Sequence, residues 1–265
     1  MDKASGFLLG FMPSFNSDLL EQIEFAKRHF DFLELTLPYN LRPWSPEYIE
    51  SVRKSLGKFS LVGHLHWDID LTALDGEKNA KEGLQLFRKL GTSKVIIHPS
   101  FPENVGIDEA LRKNMEALKA LTDFCDPLNI DLLAENGDPT IPDIVEKLRY
   151  LTDQIPNLNI ALDIGHAVNN WRKFAEVLQD KTKHLHLHYS DGVDDHLPFP
   201  DNIILKEIVD FWGNKNMTAT LEIFRKKHGG TLEEIEGSKR EKILLKQIEM
   251  ARKRRFDVLI LNKHF

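Results

Sequence analysis

The stretch LNIALDIGH at residues 158–166 shows most clearly a pattern that recurs along the chain. A short apolar run ends in the carboxylate of Asp163, and a glycine and His166 follow it. Short apolar runs bounded by turn residues are typical of buried strands. The glycine is expected to permit a tight turn, so that both polar side chains can enter one site. The stretch therefore predicts a strand with two potential metal ligands at its carboxyl end.

Apolar runs of the same character recur along the chain, and segments with helical periodicity separate them. The sequence predicts strands near residues 7–12, 31–36, 60–65, 94–98, 130–135, 158–163, 183–188 and 217–223. It predicts helices near residues 18–29, 46–56, 77–90, 108–127, 140–153, 171–179, 202–212 and 232–254. Eight strand–helix units with short loops favour a single-domain α/β protein, a (β/α)8 TIM barrel over residues 1–265, rather than a doubly wound open sheet.

The composition narrows the class of partner. A net charge of −6 gives no general attraction to nucleic acid or to an anionic membrane. No segment approaches the roughly 18 consecutive apolar residues that a membrane span needs. Cys125 is the only cysteine, and its helical setting predicts a core residue rather than a nucleophile. We expect a soluble, cytoplasmic protein with no membrane partner, and the sequence leaves its oligomeric state open.

Ionisable residues recur at the predicted strand ends. In (β/α)8 barrels the carboxyl ends of the strands converge on one opening, where the chemistry takes place. The residues placed there are Glu34, His64, His98, Glu135, Asp163, His166, His188 and Glu222. Burying so many ionisable groups is costly without compensation, and divalent cations compensate mixed clusters of imidazoles and carboxylates. The sequence therefore predicts a metal site.

Some of these residues have a second interpretation. His184, His186 and His188 alternate along one strand and share a face. His188 lies nearest the opening and is the expected ligand, whereas His186 is expected in the core or in support of a ligand, and His184 as a packed histidine. Glu34 is either an acid on the substrate side or a structural carboxylate. His66 shares a face with His64 and is a further candidate.

The order and spacing of these residues resemble the xylose isomerase-like barrel superfamily, which includes sugar isomerases and epimerases and endonuclease IV of AP endonuclease family 2. The resemblance runs from the first strand to Glu222. The segments that carry it are His64 with Ile69-Asp70-Leu71, His98-Pro99-Ser100, Ala134-Glu135-Asn136, Asp163-Ile164-Gly165-His166, His188-Tyr189-Ser190-Asp191, Asp194-Asp195-His196 and Leu221-Glu222.

The resemblance implies a divalent metal centre of one to three ions, in one of two forms. In the endonuclease IV branch three ions, usually zinc, are held at positions that match His64, His98, Glu135, Asp163, His166, His188, Asp194, His196 and Glu222. In the epimerase branch one manganese or magnesium ion is held at positions that match Glu135, Asp163, His188 and Glu222. There the two glutamates exchange a proton with the carbon beside a carbonyl, through a metal-stabilised enediolate. The smaller set is part of the larger, so these residues alone do not separate the branches.

Departures from the endonuclease IV pattern favour the epimerase branch. Phe11–Phe15 stands where that enzyme has an H-x-S segment, Gly137–Thr140 replaces a glycine-rich run, and the loop Tyr189–Val193 is short. The loops that read DNA are missing, which disfavours a nucleic-acid substrate.

We therefore expect a metal-dependent isomerase or epimerase that acts on a small polyhydroxylated or phosphorylated substrate. Glu135 and Glu222 would be the acid–base pair, and His166 would contact the substrate or a second metal. The alternatives are a multi-zinc phosphoesterase and a barrel that binds a ligand without turnover. Three basic residues could either bind phosphate or lie on the surface without a function: Arg42, Lys226 and Lys227. Four aromatic residues could either stack on a sugar or cover the core: Trp44, Trp67, Phe101 and Trp171.

Overall fold

Eight parallel strands close into a barrel in the order in which they occur along the chain. The structure is a computed structural model that describes residues 8–15, 17–37, 44–137, 141–167, 170–201, 203–212, 217–228 and 231–261. The strands are β1 Leu8–Phe11, β2 Phe32–Leu37, β3 Ser60–Leu65, β4 Lys94–Ile97, β5 Asp131–Glu135, β6 Asn159–Asp163, β7 Thr182–Leu187 and β8 Thr218–Leu221. β8 pairs in parallel with β1, from Leu8 opposite Thr218 to Phe11 opposite Leu221, and this pairing closes the barrel. The predicted single-domain TIM barrel is confirmed.

Helices alternate with the strands and cover the outside of the barrel. They are α1 Leu19–His29, α2 Pro46–Leu56, α3 Gly76–Leu90, α4 Ile107–Cys125, α5 Ile144–Gln154, α6 Trp171–Leu178, α7 Ile203–Trp212 and α8 Gly237–Leu261. The side chains of Asp18 and Ser45 cap α1 and α2, because they accept hydrogen bonds from backbone N–H groups in the first turns of these helices. The start predicted near residue 140 for α5 is wrong. That helix begins at Ile144, after Asp143 in a left-handed conformation (φ 51°).

A short hairpin between β8 and α8 was not predicted. β9 (Arg225–His228) and β10 (Thr231–Glu234) pair antiparallel, so the helix predicted from residue 232 begins only at Gly237. The sequence signal was the Gly229-Gly230 pair between two short segments, a known hairpin signature. α8 extends to Leu261 and so includes most of the apolar segment at 256–262.

The inner face of the barrel changes from apolar to polar along the strand direction. Its lower part holds an apolar cluster of five side chains, Phe32, Val62, Ile96, Leu133 and Ala161. Residues two apart in a strand point to the same face. The residue two positions after each member of this cluster is polar, and these five residues are Glu34, His64, His98, Glu135 and Asp163. The alternation therefore places the polar residues above an apolar plug formed by the five apolar side chains.

Cys125 ends α4 and is buried, and burial raises the pKa of its thiol to about 12. The interpretation of Cys125 as a core residue is confirmed. Among the described residues, no helix is long and apolar enough to cross a membrane.

Close packing between β1 and β2 makes a specific prediction for Gly10→Ala. A Cβ at Gly10 would overlap the ring of Phe32, coming within 2.6 Å of Cδ2, in the apolar plug. We expect the free energy of unfolding to fall by about 1–3 kcal/mol, as for other overpacked cores. Urea unfolding followed by far-UV circular dichroism measures this change. Gly137→Ala is the control, because a Cβ there would make only an ordinary 3.6 Å contact, with His98 Cδ2. Equal stability of the two variants would contradict the packing argument.

Candidate metal centre

Four buried side chains at the carboxyl ends of β5 to β8 form the centre of the site. Glu135 ends β5 and Asp163 ends β6, whereas His188 and Glu222 directly follow β7 and β8. All four are at most 6% exposed. His188 Nε2 lies 3.1 Å from the Asp163 carboxylate, and His188 Nδ1 lies 3.0 Å from the backbone nitrogen of His196 and 3.4 Å from the Tyr189 carbonyl oxygen. These are the residues that the family resemblance implies for a single-metal centre.

Four histidines surround the carboxylate of Glu135. Its Oε2 lies 3.3 Å from three ring nitrogens, His64 Nε2, His98 Nε2 and His186 Nδ1. Its Oε1 lies 3.6 Å from His166 Nδ1. His64 lies in β3, His98 follows β4 and His186 lies in β7. The Glu135 carboxylate therefore contacts side chains from several strands around the barrel.

Asp163 is held by hydrogen bonds to the Asn136 side chain and to the backbone N–H of His166. The Asn136 side chain accepts the Asp163 N–H at 2.7 Å and donates to the Asp163 carbonyl at 2.8 Å, which links the ends of β5 and β6. Asp163 Oδ1 accepts the N–H of His166 at 2.7 Å, so the turn folds that histidine back toward the site.

Gly165 in this turn is required for a different reason from the expected one. The described glycines with positive φ do not include Gly165. A Cβ at Gly165 would instead overlap the imidazole ring of His188. The glycine thus provides space for a ligand ring rather than an unusual backbone conformation.

Several buried polar atoms of the site have no hydrogen-bond partner among the described residues. They are His64 Nε2, His98 Nδ1, Glu135 Oε2, His166 Nδ1, His186 Nδ1 and Glu222 Oε2. A buried polar atom without a partner costs about 1–3 kcal/mol. Imidazole nitrogens and carboxylate oxygens are the ligands of zinc and similar divalent cations. The residues present therefore fit a divalent cation.

The potential ligand atoms fall into small groups. In each group they lie within 4.8 Å of one another, and the groups are His64–His98–Glu135, Asp163–His188–Glu222, His166–His188–His196, Glu135–Asp163–His186 and Glu34–His64–His186. Together they contain every predicted ligand except Asp194. The neighbouring Asp195 is the residue that approaches the cluster, with Oδ2 3.8 Å from the Nε2 atoms of His166 and His196.

Glu34 is a structural carboxylate, which resolves the two interpretations of this residue. The sequence predicted Glu34 at the end of a strand. β2 continues to Leu37, however, so Glu34 lies inside the strand. It accepts hydrogen bonds from His64, His184, His186 and Thr220. Burial alone would raise the pKa of Glu34, but the neighbouring histidines outweigh burial and hold it well below its usual range.

The strand-seven histidines differ in their environments. His184 is a packed histidine, as expected: its Nδ1 contacts Thr218 Oγ1 at 2.7 Å, and burial lowers its pKa to about 4. His186 is more central than expected. Burial would lower the pKa of His186, but Glu34, Glu135 and Glu222 raise it well above the usual value.

The two glutamates of the site are shifted in opposite directions. Burial raises the pKa of Glu222 well above its usual value, and the nearby charges of Glu135 and Asp163 add to this effect. Burial also acts on Glu135, but His98 and His186 outweigh it and lower the pKa of that carboxyl well below its usual range. Carboxyl groups with opposed shifts can divide the roles of acid and base.

A cavity of about 420 Å³ opens above these residues. Aromatic side chains of Phe15, Trp67 and Phe224 line it. Of the aromatic residues proposed from the sequence, Trp67 lies here; Trp44 and Phe101 line neighbouring cavities, and Trp171 is buried on α6. His66 stacks on Trp67 at 3.9 Å between ring centroids, beside the cavity rather than in the ligand groups.

The hairpin β9–β10 contributes charged residues to the cavity wall. Arg225 contacts Asp195 Oδ1 at 2.8 Å and Glu234 Oε1 at 2.9 Å. Neither Arg225 nor Asp195 was predicted as a site residue, because only the folded hairpin brings them together. Arg42 and the side chains of Lys226 and Lys227 lie outside the described residues.

Structural neighbours share this barrel at low sequence identity. A D-tagatose 3-epimerase-like protein superposes with a TM-score of 0.74 and 21% identity, over 94% of this chain and 99% of that one. D-psicose 3-epimerase from Clostridium cellulolyticum H10 has a TM-score of 0.70 and 14% identity, over 93% and 99%. An AP endonuclease of family 2 from Brucella melitensis has a TM-score of 0.61 and 14% identity, over 82% and 93%. These likenesses show the fold.

A search of curated protein sequences finds no significant match. The sequence profile of one family does match, over residues 23–254, which span α1 to α8 and include every residue of the metal centre described above. The chain belongs to the xylose isomerase-like TIM barrel family.

Proposed function

We propose that this protein is a divalent-metal-dependent isomerase or epimerase that acts on a small sugar. The observation that carries the proposal is the position of two buried carboxylates at the floor of one cavity. Glu135 Oε2 and Glu222 Oε2 each lie 3.3 Å from the same atom, His186 Nδ1. They belong to different sides of the barrel, since one ends β5 and the other follows β8. Acid–base groups on two sides of a bound substrate suit removal and return of a proton on opposite faces of a carbon.

Glu135, Asp163, His188 and Glu222 would hold the cation. When bound, a divalent cation polarises substrate oxygens and stabilises the negative charge that develops beside a carbonyl. His166 lines the cavity and would donate a hydrogen bond to a substrate oxygen. One glutamate would accept the proton from carbon, and the other would return it.

The cavity wall favours an uncharged sugar over a phosphorylated one. A volume of about 420 Å³ suits a small ligand. Aromatic rings in the wall can stack on the apolar face of a sugar. Among the described residues of the wall, Arg225 is the only lysine or arginine, and Asp195 and Glu234 already neutralise it. The neighbours named for D-tagatose and D-psicose suggest ketohexoses as the first substrates to test.

A multi-zinc phosphoesterase is the second candidate. The group His64–His98–Glu135 favours it, because these three residues could hold an ion beyond the single-metal set. The carboxylates of Asp195, Glu234 and Glu236 near the mouth oppose it, since they would repel the phosphates of a DNA backbone.

Deuterium exchange tests the proposed reaction. Protein purified without chelator, and loaded with manganese or magnesium, is expected to incorporate solvent deuterium into D-tagatose or D-psicose beside the carbonyl, as measured by proton NMR. Glu135→Gln and Glu222→Gln should each slow the exchange by about 10²–10⁴-fold, because each removes one acid–base group. Glu116→Gln is the control, since that side chain is 61% exposed on α4.

The same preparation separates the two candidate functions. Metal content is measured by mass spectrometry, and hydrolysis of bis(p-nitrophenyl) phosphate by absorbance. Two or three zinc ions per chain, with phosphodiester hydrolysis and no exchange on any ketose, would replace the epimerase proposal with the phosphoesterase. No metal uptake after reconstitution would overturn both.

Gly165→Ala is expected to weaken metal binding while the fold is retained. The added methyl group would push the His188 ring away from Asp163, and displaced ligand support typically weakens binding about 10–100-fold. Chelator competition measures the Kd for zinc. Gly137→Ala is the matched control after β5, because its Cβ would make an ordinary 3.6 Å contact with His98 Cδ2. Identical affinities of the two variants would show that His188 is not held as described.

A further inference from the structure

A layer of hydrogen bonds lies directly beneath the metal centre, and Glu34 is its hub. Glu34 Oε1 contacts His64 Nδ1 at 3.0 Å and His186 Nε2 at 2.9 Å. Glu34 Oε2 contacts His184 Nε2 at 2.9 Å and Thr220 Oγ1 at 2.5 Å. The glutamate is fully buried, so water does not supply these contacts. One side chain of β2 therefore joins β3, β7 and β8 across the inside of the barrel.

These contacts determine which ring nitrogen carries hydrogen. An ionised carboxylate only accepts hydrogen bonds, so each histidine must present an N–H to Glu34. His64 must carry this hydrogen on Nδ1, and His186 must carry it on Nε2. In a neutral ring the opposite nitrogen then has a lone pair and no hydrogen.

The opposite nitrogens both point into the metal centre. His64 Nε2 lies 3.3 Å from Glu135 Oε2, and His186 Nδ1 lies 3.3 Å from Glu135 Oε2 and from Glu222 Oε2. Neither nitrogen has a hydrogen-bond partner in the part of the chain that is described, and the facing glutamate oxygens have none either. A lone pair that faces a carboxylate is repulsive, so either a proton or a cation lies between the two groups, and a bound cation would take the place of the proton.

His184 shows that this arrangement is specific. It lies two residues before His186 on β7 and contacts the same carboxylate. Its Nδ1, however, contacts Thr218 Oγ1 at 2.7 Å, so both of its nitrogens have partners. Glu34 thus contacts His64 and His186, each of which has its second nitrogen directed toward the metal centre, and His184, whose second nitrogen contacts Thr218 instead.

We propose that Glu34 is a positioning residue of the metal centre and that it makes His186 an additional metal ligand. Glu34 holds His64 and His186 with their N–H groups toward itself. The lone pairs of these two rings then point toward Glu135 and Glu222. The proposal rests on the metal dependence proposed above, and it is independent of the substrate and of the reaction. A carboxylate that orients a ligating histidine in this way is a general support of metal sites.

The test is the tautomer of each ring in the intact, zinc-loaded protein. Long-range proton–nitrogen NMR correlations on histidine-labelled protein are expected to show hydrogen on Nδ1 of His64 and on Nε2 of His186, with the other nitrogen of each ring shifted by zinc. His184 should keep hydrogen on Nε2, with no zinc-dependent shift of Nδ1. A His186 Nδ1 that carries hydrogen or does not respond to zinc would overturn the proposal.

Glu34→Gln tests the positioning role. The amide offers one acceptor oxygen and a donating NH2 group, so it cannot accept N–H groups from all three histidines. The Kd for zinc from chelator competition should rise about 10–100-fold, and the tautomer or the zinc shift of His64 or His186 should change. His186→Asn should raise the Kd at least about tenfold, since it removes a ligand.

Thr220→Val is the matched control for Glu34→Gln. It removes one hydrogen bond to the same carboxylate without touching His64 or His186, and we expect a Kd within about threefold of wild type. Unchanged Kd and unchanged ring signals in Glu34→Gln would overturn the proposal. If Glu34→Gln does not fold, the ring signals of wild type and His186→Asn decide. A wild-type protein that binds no metal would instead show that the proposed function fails.

Discussion

Closure of the barrel between β1 and β8 is the constraint on which the site depends. The parallel pairing of β8 with both β1 and β7 brings the last strand of the barrel beside the first. Thr220 can then contact Glu34, which lies 186 positions earlier in the chain. Glu222 follows on the same face two residues later, and so enters the cluster of Glu135 and His186. Without closure, the carboxylate from β8 would have no place in the site.

Burial of ionisable groups is compensated differently at each level of the barrel interior. The lowest level is apolar and needs no compensation. At the level of Glu34, four hydrogen bonds satisfy the carboxylate. At the level of Glu135 and Glu222, buried oxygens and ring nitrogens remain without hydrogen bonds within the described chain. A divalent cation at that level would supply the compensation that hydrogen bonding provides below, and this is the physical case for the proposed metal.

Much of this arrangement could be predicted from the sequence, because local patterns determine it. Short apolar runs placed the strands, and the polar residue at each strand end followed from the rule for barrel openings. His98, Glu135 and Asp163 were found in this way. The role of a residue was predicted less well where it depends on contacts with residues far away in the sequence. Glu34 and His184 are 150 positions apart, so the sequence could not show that they contact each other. The roles of Asp195 and Arg225 depend on a hairpin and a loop that fold against each other, which no local pattern indicates.

The mouth of the barrel, more than its floor, separates the two proposed chemistries. The floor retains eight of the nine positions implied for a three-metal centre, and by itself it is compatible with either reaction. The mouth carries a hairpin whose single arginine is already paired with two carboxylates. A polyanionic duplex gains binding free energy mainly from unpaired cations, and the described residues of the wall offer none. A neutral sugar gains it from stacking and from hydrogen bonds, for which Trp67, Phe15 and the exposed edge of His166 are suited. Since the floor is common to both reactions, the balance of charge at the mouth is what favours the sugar.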